Sequence, residues 1–370
     1  MRIGILTSSR ADFGIYIPLL KQMQQCREEF AFSIIAFGTH FSSYHGFTAN
    51  DITGNGFNIT YKINSMLLSD DAGSIATSYS ITALKFASFW EEKKYEFDWI
   101  LCIGDRYEMA AAVVAGIPMG IRFAHIGGGD TTLGAIDNIY RHSISLASTL
   151  HFVSLDIFTE KIREVTGDNA NCIVIGSLSL DNLDKVQLLD RTVFEKRWKI
   201  DTRKPFVLIT IHPETVHADK NDQHIVEMIA ALEIISDISH LVITMPNADT
   251  QGGKYRIAFK KLAENLQGKI TLIENFGTQS YFSSMKYADY LLGNTSSGLV
   301  EAASFGKYVI NIGDRQKGRP AGSNVLHVPF EKNAIIAASK QVTGKIYNGT
   351  NIYKKGNASN LILQALKKWS

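Results

Sequence analysis

The segment Gly293-Asn294-Thr295-Ser296-Ser297-Gly298, with Glu301 one helical turn further on, gathers residue types that can hold an anion. The apolar run Tyr290-Leu291-Leu292 before it reads as a buried strand. The stretch 299–306 after it reads as a short helix closed by Gly306. A strand, a small-residue turn and a helix start direct free backbone N–H groups and the positive end of the helix dipole at one spot. The Ser296 and Ser297 hydroxyls add donors there. Glu301 is placed to accept hydrogen bonds from a ribose diol. Taken alone, the segment fits an ordinary serine N-cap equally well, so the other loops must decide.

Those loops carry the same kind of chemistry. After the strand pattern at 3–7 come Arg10 and Asp12. After 32–37 come Gly38-Thr39-His40, and after 99–103 come Asp105, Arg106 and Glu108. His125 opens a glycine-rich turn that ends at Asp130, and Asp137 and Arg141 follow at helical i,i+4 spacing. Later strands lead into His212-Pro213-Glu214-Thr215, into Met245-Pro246-Asn247 and into a loop with Arg315 and Arg319. Each residue also has an ordinary role: Asp105 as a helix cap, Arg10 with Asp12 or Asp137 with Arg141 as surface ion pairs, His40 and His125 as satisfied core histidines. Acids, bases and anion donors recurring after strand upon strand argue instead for one site for an anionic, polyhydroxyl ligand. Arg10 with Arg315 or Arg319 would neutralise a diphosphate, and Ser296 and Ser297 would bind its oxygens. The chain has no Gly-x-x-x-x-Gly-Lys-Ser/Thr motif and no Gly-x-Gly-x-x-Gly after the first strand, which argues against P-loop ATPases and nicotinamide enzymes.

The elements that must position these loops read as alternating strands and helices. In the first half the strands are 3–7, 32–37, 99–103, 121–126 and 172–175, with helices at 16–25, 107–115, 137–148 and 156–166. In the second half the strands are 206–211, 241–244, 270–273, 290–292 and 308–312, with helices at 224–235, 255–264 and 281–287. Alternation of this kind predicts α/β architecture: two doubly wound, Rossmann-like domains facing a cleft, with ligands beyond the carboxyl ends of the strands. At 370 residues two domains are the natural division. The expected boundary runs through the polar stretch 181–203, giving domains 1–180 and 181–370. The last helix, 358–369, is placed to cross back to the first domain.

The 45% hydrophobic and 20% charged content describes a soluble globular protein, and a net charge of +2 without a long basic run argues against nucleic acid as partner. Cys26, Cys102 and Cys172 are odd in number and widely spaced, which fits a reducing cytoplasm better than a disulfide framework. No Cys/His spacing suggests a metal, and no segment reads as a signal peptide or a membrane span.

In combination, Ser9-Arg10-Ala11-Asp12, Gly38-Thr39-His40, Gly104-Asp105-Arg106, the His125 segment, Gly134-Ala135-Ile136-Asp137 with Arg141-His142, His212-Pro213, the 293–298 turn and the stretch 309–328 resemble the hydrolysing UDP-N-acetylglucosamine 2-epimerases of sialic-acid and legionaminic-acid pathways. The resemblance spans nearly the whole chain in one order. It implies a GT-B-like fold, with UDP on the second domain and the sugar beside the loops of the first. It also implies a homodimer without cofactor or metal. The implied reaction eliminates UDP across C1 and C2 to give a glycal, and water then adds with inversion at C2. The products are free N-acetylmannosamine and UDP.

By this resemblance Asp105, Asp130, Asp137 and His212 are the acid/base candidates. Arg141 orients a carboxylate or contacts the ligand. Arg10, Ser296 and Ser297 hold phosphate, Glu301 holds the ribose, and Asp12, His40, Arg106, Glu108, His125, Asn247, Arg315 and Arg319 line the substrate. Which acid removes the C2 proton is left open. Many relatives have a glutamate two residues after the histidine matching His125, where this chain has Gly127. Either Asp130 takes over that role, or the pocket is enlarged for a sugar such as a UDP-2,4-diacetamido-2,4,6-trideoxyhexose. The rival readings are a GT-B glycosyltransferase using the same nucleotide site, a UDP-sugar sensor without turnover, and a non-hydrolysing epimerase that keeps UDP attached.

Overall fold

Short β-branched and aliphatic runs form two all-parallel sheets in a computed structural model that describes residues 1–69, 71–167, 171–246 and 251–369. The chain divides into two units. Unit 1 comprises Met1–Asp130, Asp137–Lys185 and Tyr353–Ser370; unit 2 comprises Thr131–Ile136 and Val186–Ile352.

In unit 1 the strands are β1 (Arg2–Thr7), β2 (Ala31–Phe37), β3 (Ile59–Ile63), β4 (Trp99–Ile103), β5 (Phe123–Ile126), β6 (Ser148–Val153) and β7 (Cys172–Val174), in the order β3-β2-β1-β4-β5-β6-β7. β4 is buried at every residue, as expected of a central parallel strand covered on both faces. An aromatic group of Phe86, Phe89, Trp90, Phe97 and Phe123 packs in this core, and Trp90 Nε1 donates to the Ala112 carbonyl at 2.8 Å. The last helix, Ala358–Lys368, belongs to this unit. Asp181, itself nearly buried, accepts from the Ala358 and Ser359 amides at 3.1 and 2.7 Å, so a carboxylate closes that helix at its positive end. Ile362, Leu363 and Leu366 then join the unit 1 core.

In unit 2 the strands are β8 (Phe206–Thr210), β9 (His240–Thr244), β10 (Ile270–Ile273), β11 (Leu291–Gly293), β12 (Val309–Ile312) and β13 (Val325–Val328), ordered β10-β9-β8-β11-β12-β13. The period-2 pattern divides their side chains between two cores. Val207, Ile209, Leu241 and Ile243 enter one, while Phe206, Leu208 and Val242 enter the other.

Both sheets therefore have doubly wound order, and in each the order reverses beside the first strand: between β1 and β4, and between β8 and β11. The loops after those strands sit at a topological switch point, where open α/β sheets bind ligands.

The structure differs from the sequence reading at several elements. The strand expected at 121–126 begins at Phe123, because Ile121 and Arg122 are still leaving the turn at Gly120. β3 was not anticipated, since Thr60 and Lys62, two of its five residues, face solvent at the sheet edge. β6 was hidden by the helix expected over 137–148: that helix ends at Ala147 and the strand starts at Ser148 without glycine or proline between them. The long helix Ala72–Lys93, capped by the Asp71 side chain, also escaped the pattern.

Candidate active site

At the unit 1 switch point, the turn after β1 is folded on Asp12. Its carboxylate accepts from the Ser8 amide at 2.8 Å and the Ser8 hydroxyl at 2.6 Å, while the Ser9 side chain caps the helix Arg10–Gln25. Burial raises the Asp12 pKa, opposed by those bonds and by the positive charge of Arg106. Arg106 grips Glu108 through two nitrogens at 2.9 and 3.2 Å, and Glu108 is buried. Arg10 lies half-buried at the start of its helix. Asp12, Arg106 and Glu108 thus shape the walls of the turn through contacts with protein groups.

The turn after β4 has a different partner. Arg141, only 2% exposed, donates through Nη2 to Asp105 Oδ2 and through Nη1 to the Asp130 carbonyl at 2.9 Å. One buried guanidinium therefore joins the β4 turn, the end of the β5 turn and the helix Asp137–Ala147. Asp105 keeps 28% of its side chain exposed, so it is oriented yet reachable. Asp130 is buried, and Asp137 is half-buried one helical turn before Arg141. Asp105, Asp130 and Arg141 come together; Asp137 shares Arg141's helix.

Two histidines of this unit, His40 and His125, lie beneath the loops. His40 is fully buried, with Thr7 Oγ1 2.9 Å from one ring nitrogen and Thr48 Oγ1 3.0 Å from the other; burial lowers its pKa to about 4. His125 is also fully buried, and its pKa falls to about 3, chiefly by burial. Its Nε2 lies 2.8 Å from the Gly104 carbonyl, an acceptor, so Nε2 carries the proton and Nδ1 accepts from Ser145 Oγ at 3.0 Å. His125 holds the carbonyl that precedes Asp105. Gly127, beyond it, has φ +85°, and a Cβ there would have no neighbour nearer than the Gly104 amide nitrogen at 3.9 Å. The left-handed backbone, and not crowding at Cβ, is what favours glycine here.

At the unit 2 switch point, Gly293 (φ +152°) brings β11 so close to β8 that a Cβ would fall 1.9 Å from the Thr210 carbonyl. Beyond it, the buried Asn294 side chain clasps His212 twice: Oδ1 accepts from the His212 amide and Nδ2 donates to the His212 carbonyl, both at 2.8 Å. Gln316 Nε2 donates to the Asn294 carbonyl at 3.0 Å, and Arg319 Nη1 donates to Gln316 Oε1 at 2.9 Å. Glu214, buried, accepts from the Asp314 amide at 2.5 Å, and its own backbone is clasped by Asn221.

His212, Arg319 and the 293–298 turn are thereby brought together. Arg315 lies half-buried in the same 313–319 loop, and Glu301 is buried just past the helix Ser296–Val300. Ser296 is exposed, and Ser297 Oγ is shielded with no hydrogen-bond partner among the described residues. Asn247 lies outside the described residues. The expectations missed Asn294, Glu214, Thr215 and Gln316 as positioning groups. Their one sequence signal was membership of loops already singled out.

A sequence model described as UDP-N-acetylglucosamine 2-epimerase matches residues 22–367. The chain belongs to that family. A Campylobacter jejuni relative named GDP/UDP-N,N'-diacetylbacillosamine 2-epimerase (hydrolyzing) is 34% identical over 325 residues, covering 88% of this chain and 83% of the relative. A Legionella pneumophila UDP-N,N'-diacetylbacillosamine 2-epimerase (hydrolyzing) is 29% identical, covering 99% and 95%. Among solved structures, the UDP-GlcNAc 2-epimerase of Neisseria meningitidis bound to UDP-GlcNAc superposes with a TM-score of 0.83 at 19% identity, covering all of both chains. At that identity the likeness speaks for the fold, a GT-B-like pair of α/β domains. Family membership places the chain among the UDP-sugar 2-epimerases, a family of enzymes. Among its described residues no helix is long and apolar enough to cross a membrane, and no group of three His, Cys, Asp or Glu is placed to hold a metal ion.

Proposed function

We propose that this chain is a hydrolysing 2-epimerase that takes a UDP-linked 2-acetamido sugar to free 2-epimerised sugar and UDP. The observation that carries the reading is Asp105, oriented by the buried Arg141 and left partly exposed at a switch point. The C2 proton of such a sugar is weakly acidic, so its removal needs a carboxylate held in one pose. Asp105, Asp130 and Asp137 are the acids available in unit 1, with His212 in unit 2. In the first step the C2–H bond breaks to a base, C1=C2 forms and the C1–O bond to UDP breaks. In the second, water supplies OH to C1 and a proton reaches C2 from the other face.

The departing diphosphate carries the charge that develops, and fixed donors must meet it. The proposed donors are Arg10, Arg315, Arg319 and the Ser296 and Ser297 hydroxyls, with Glu301 on the ribose. The partners of the reaction are the UDP-sugar and the UDP product, and the proposed working form is a cytoplasmic homodimer.

For the sugar, the reading that fits best is a 2,4-diacetamido-2,4,6-trideoxyhexose. It is supported by the names of the two hydrolysing relatives and by the absence of a side chain at Gly127, where a Cβ would meet nothing nearer than 3.9 Å. UDP-N-acetylglucosamine is the second reading, favoured by the family description. Incubation with each UDP-sugar in heavy water, followed by proton NMR, tests both. UDP and a free sugar with deuterium at C2 are expected, faster from the diacetamido substrate. UDP-N-acetylmannosamine as the stable product, or release only with an added acceptor, contradicts the reading.

A further inference from the structure

Between Asp130 and Asp137 the chain leaves unit 1 for six residues, and Thr131–Ile136 packs as part of unit 2. This strap is seated on the loop that carries Arg315 and Arg319. The Leu133 amide donates to the Lys317 carbonyl at 3.0 Å, and the Ile136 amide donates to Thr215 Oγ1 at 2.9 Å. Thr132 and Ala135 are buried, and the Ala135 amide closes the strap on the Thr132 carbonyl at 3.1 Å. At its centre Gly134 meets backbone directly: a Cβ there would lie 2.2 Å from the Asp314 carbonyl oxygen and 2.7 Å from the Arg315 amide nitrogen. Neither atom belongs to a flexible side chain, so any larger residue must lift the strap or shift the arginine loop.

The loop beneath is fixed in turn. Glu214 accepts from the Asp314 amide, and Thr215, which holds Ile136, is the next residue. His212, clasped by Asn294, stands at the head of the same turn. The His212-Pro213-Glu214-Thr215 turn therefore registers three things at once: the histidine, the arginine loop and the strap.

We propose that Gly134 is a positioning residue for the reaction, with Thr215 as its second fastening. The inference rests on the functional reading above, in which the acids Asp130 and Asp137 act on the sugar while Arg315 and Arg319 meet the diphosphate. Both ends of the strap are bonded directly to those acids. Seating the strap on the loop beneath it anchors the chain that runs between the two acids. An ångström of misplacement in such a constellation costs about 100-fold in rate.

The test compares the full-length wild type with Gly134→Ala, Thr215→Val and Thr215→Ser. It measures kcat and KM for the better UDP-sugar, UDP affinity by calorimetry, and melting temperature. Gly134→Ala is expected to lower kcat by about 100-fold, with a much smaller loss of UDP affinity. Thr215→Val removes the acceptor for Ile136 and is expected to lower kcat by about three- to tenfold with UDP affinity held; Thr215→Ser keeps the acceptor and restores kcat to within about twofold.

Wild-type kcat in Gly134→Ala overturns the proposal. So does a parallel fall of kcat and UDP affinity, or equal turnover in the valine and serine variants. If Gly134→Ala does not fold, the Thr215 pair decides. A wild-type chain that releases no UDP from either sugar overturns the functional reading, an outcome visible before any variant is made.

Discussion

The two switch points share one topology and differ in chemistry. Beside β1 and β4 the turns are held by charge: Asp12 on Ser8, Glu108 on Arg106, and Asp105 on Arg141. Beside β8 and β11 they are held by a neutral amide, a close glycine contact and a glutamine, with Asn294 clasping His212 and Gln316 supporting Asn294. Charged fastening leaves an oriented carboxylate at the surface, which suits proton transfer. Neutral fastening holds the 293–298 turn, where the proposed phosphate contacts Ser296 and Ser297 stand. Strand order determines where a ligand can sit, and the residues after the strands determine what happens to it.

The largest expected effect comes from breaking the charged fastening. Arg141→Met removes the group that orients Asp105 and holds the Asp130 carbonyl. Turnover is expected to fall by roughly 100- to 10,000-fold, while UDP affinity stays within about threefold. A variant that keeps a tenth or more of wild-type kcat would break the comparison.

Next is the neutral fastening. Asn294→Ala leaves the His212 amide and carbonyl without their partner and should cost about 2–4 kcal/mol of stability in denaturant unfolding. UDP affinity should drop with it. Unchanged affinity would mean that the clasp does not shape the nucleotide groups. Ser297→Ala should act on binding alone, weakening UDP by about tenfold in calorimetry with little change in melting temperature. Equal affinity would remove Ser297 from the proposed phosphate contacts.

The remaining effect acts on stability alone and depends on pH. His40 and His125 have folded pKa values of about 4 and about 3, below the unfolded value near 6.5. Below pH 6.5 the unfolded chain binds protons that the folded chain refuses. Stability is therefore full above pH 6.5 and declines from there down to pH 4, by about 1.4 kcal/mol per pH unit for each histidine. His125→Gln should flatten that decline. An unaltered slope would show that His125 is already charged in the folded state.

Much of this was legible in the sequence because parallel strands announce themselves: the fully buried β4 matched its expected span residue for residue, as did β10. Edge strand β3 was not legible, because its solvent-facing residues dilute the apolar run. The loops that carry the candidate site could be found from residue types alone. The division of tasks within them could not. Nothing in the local sequence states that His125 supports the Gly104 carbonyl, that Arg141 reaches Asp105 across 36 positions, or that Thr131–Ile136 joins unit 2. Those contacts are set by long-range packing.

The central claim is that Asp105 serves the proton chemistry and takes no part in holding the nucleotide. Calorimetry of UDP binding to Asp105→Asn, beside its turnover of the UDP-sugar, tests this most directly. The account predicts turnover reduced by at least about 100-fold with UDP affinity within about twofold of wild type. A variant that turns over at the wild-type rate, or that loses UDP affinity in step with turnover, would contradict it.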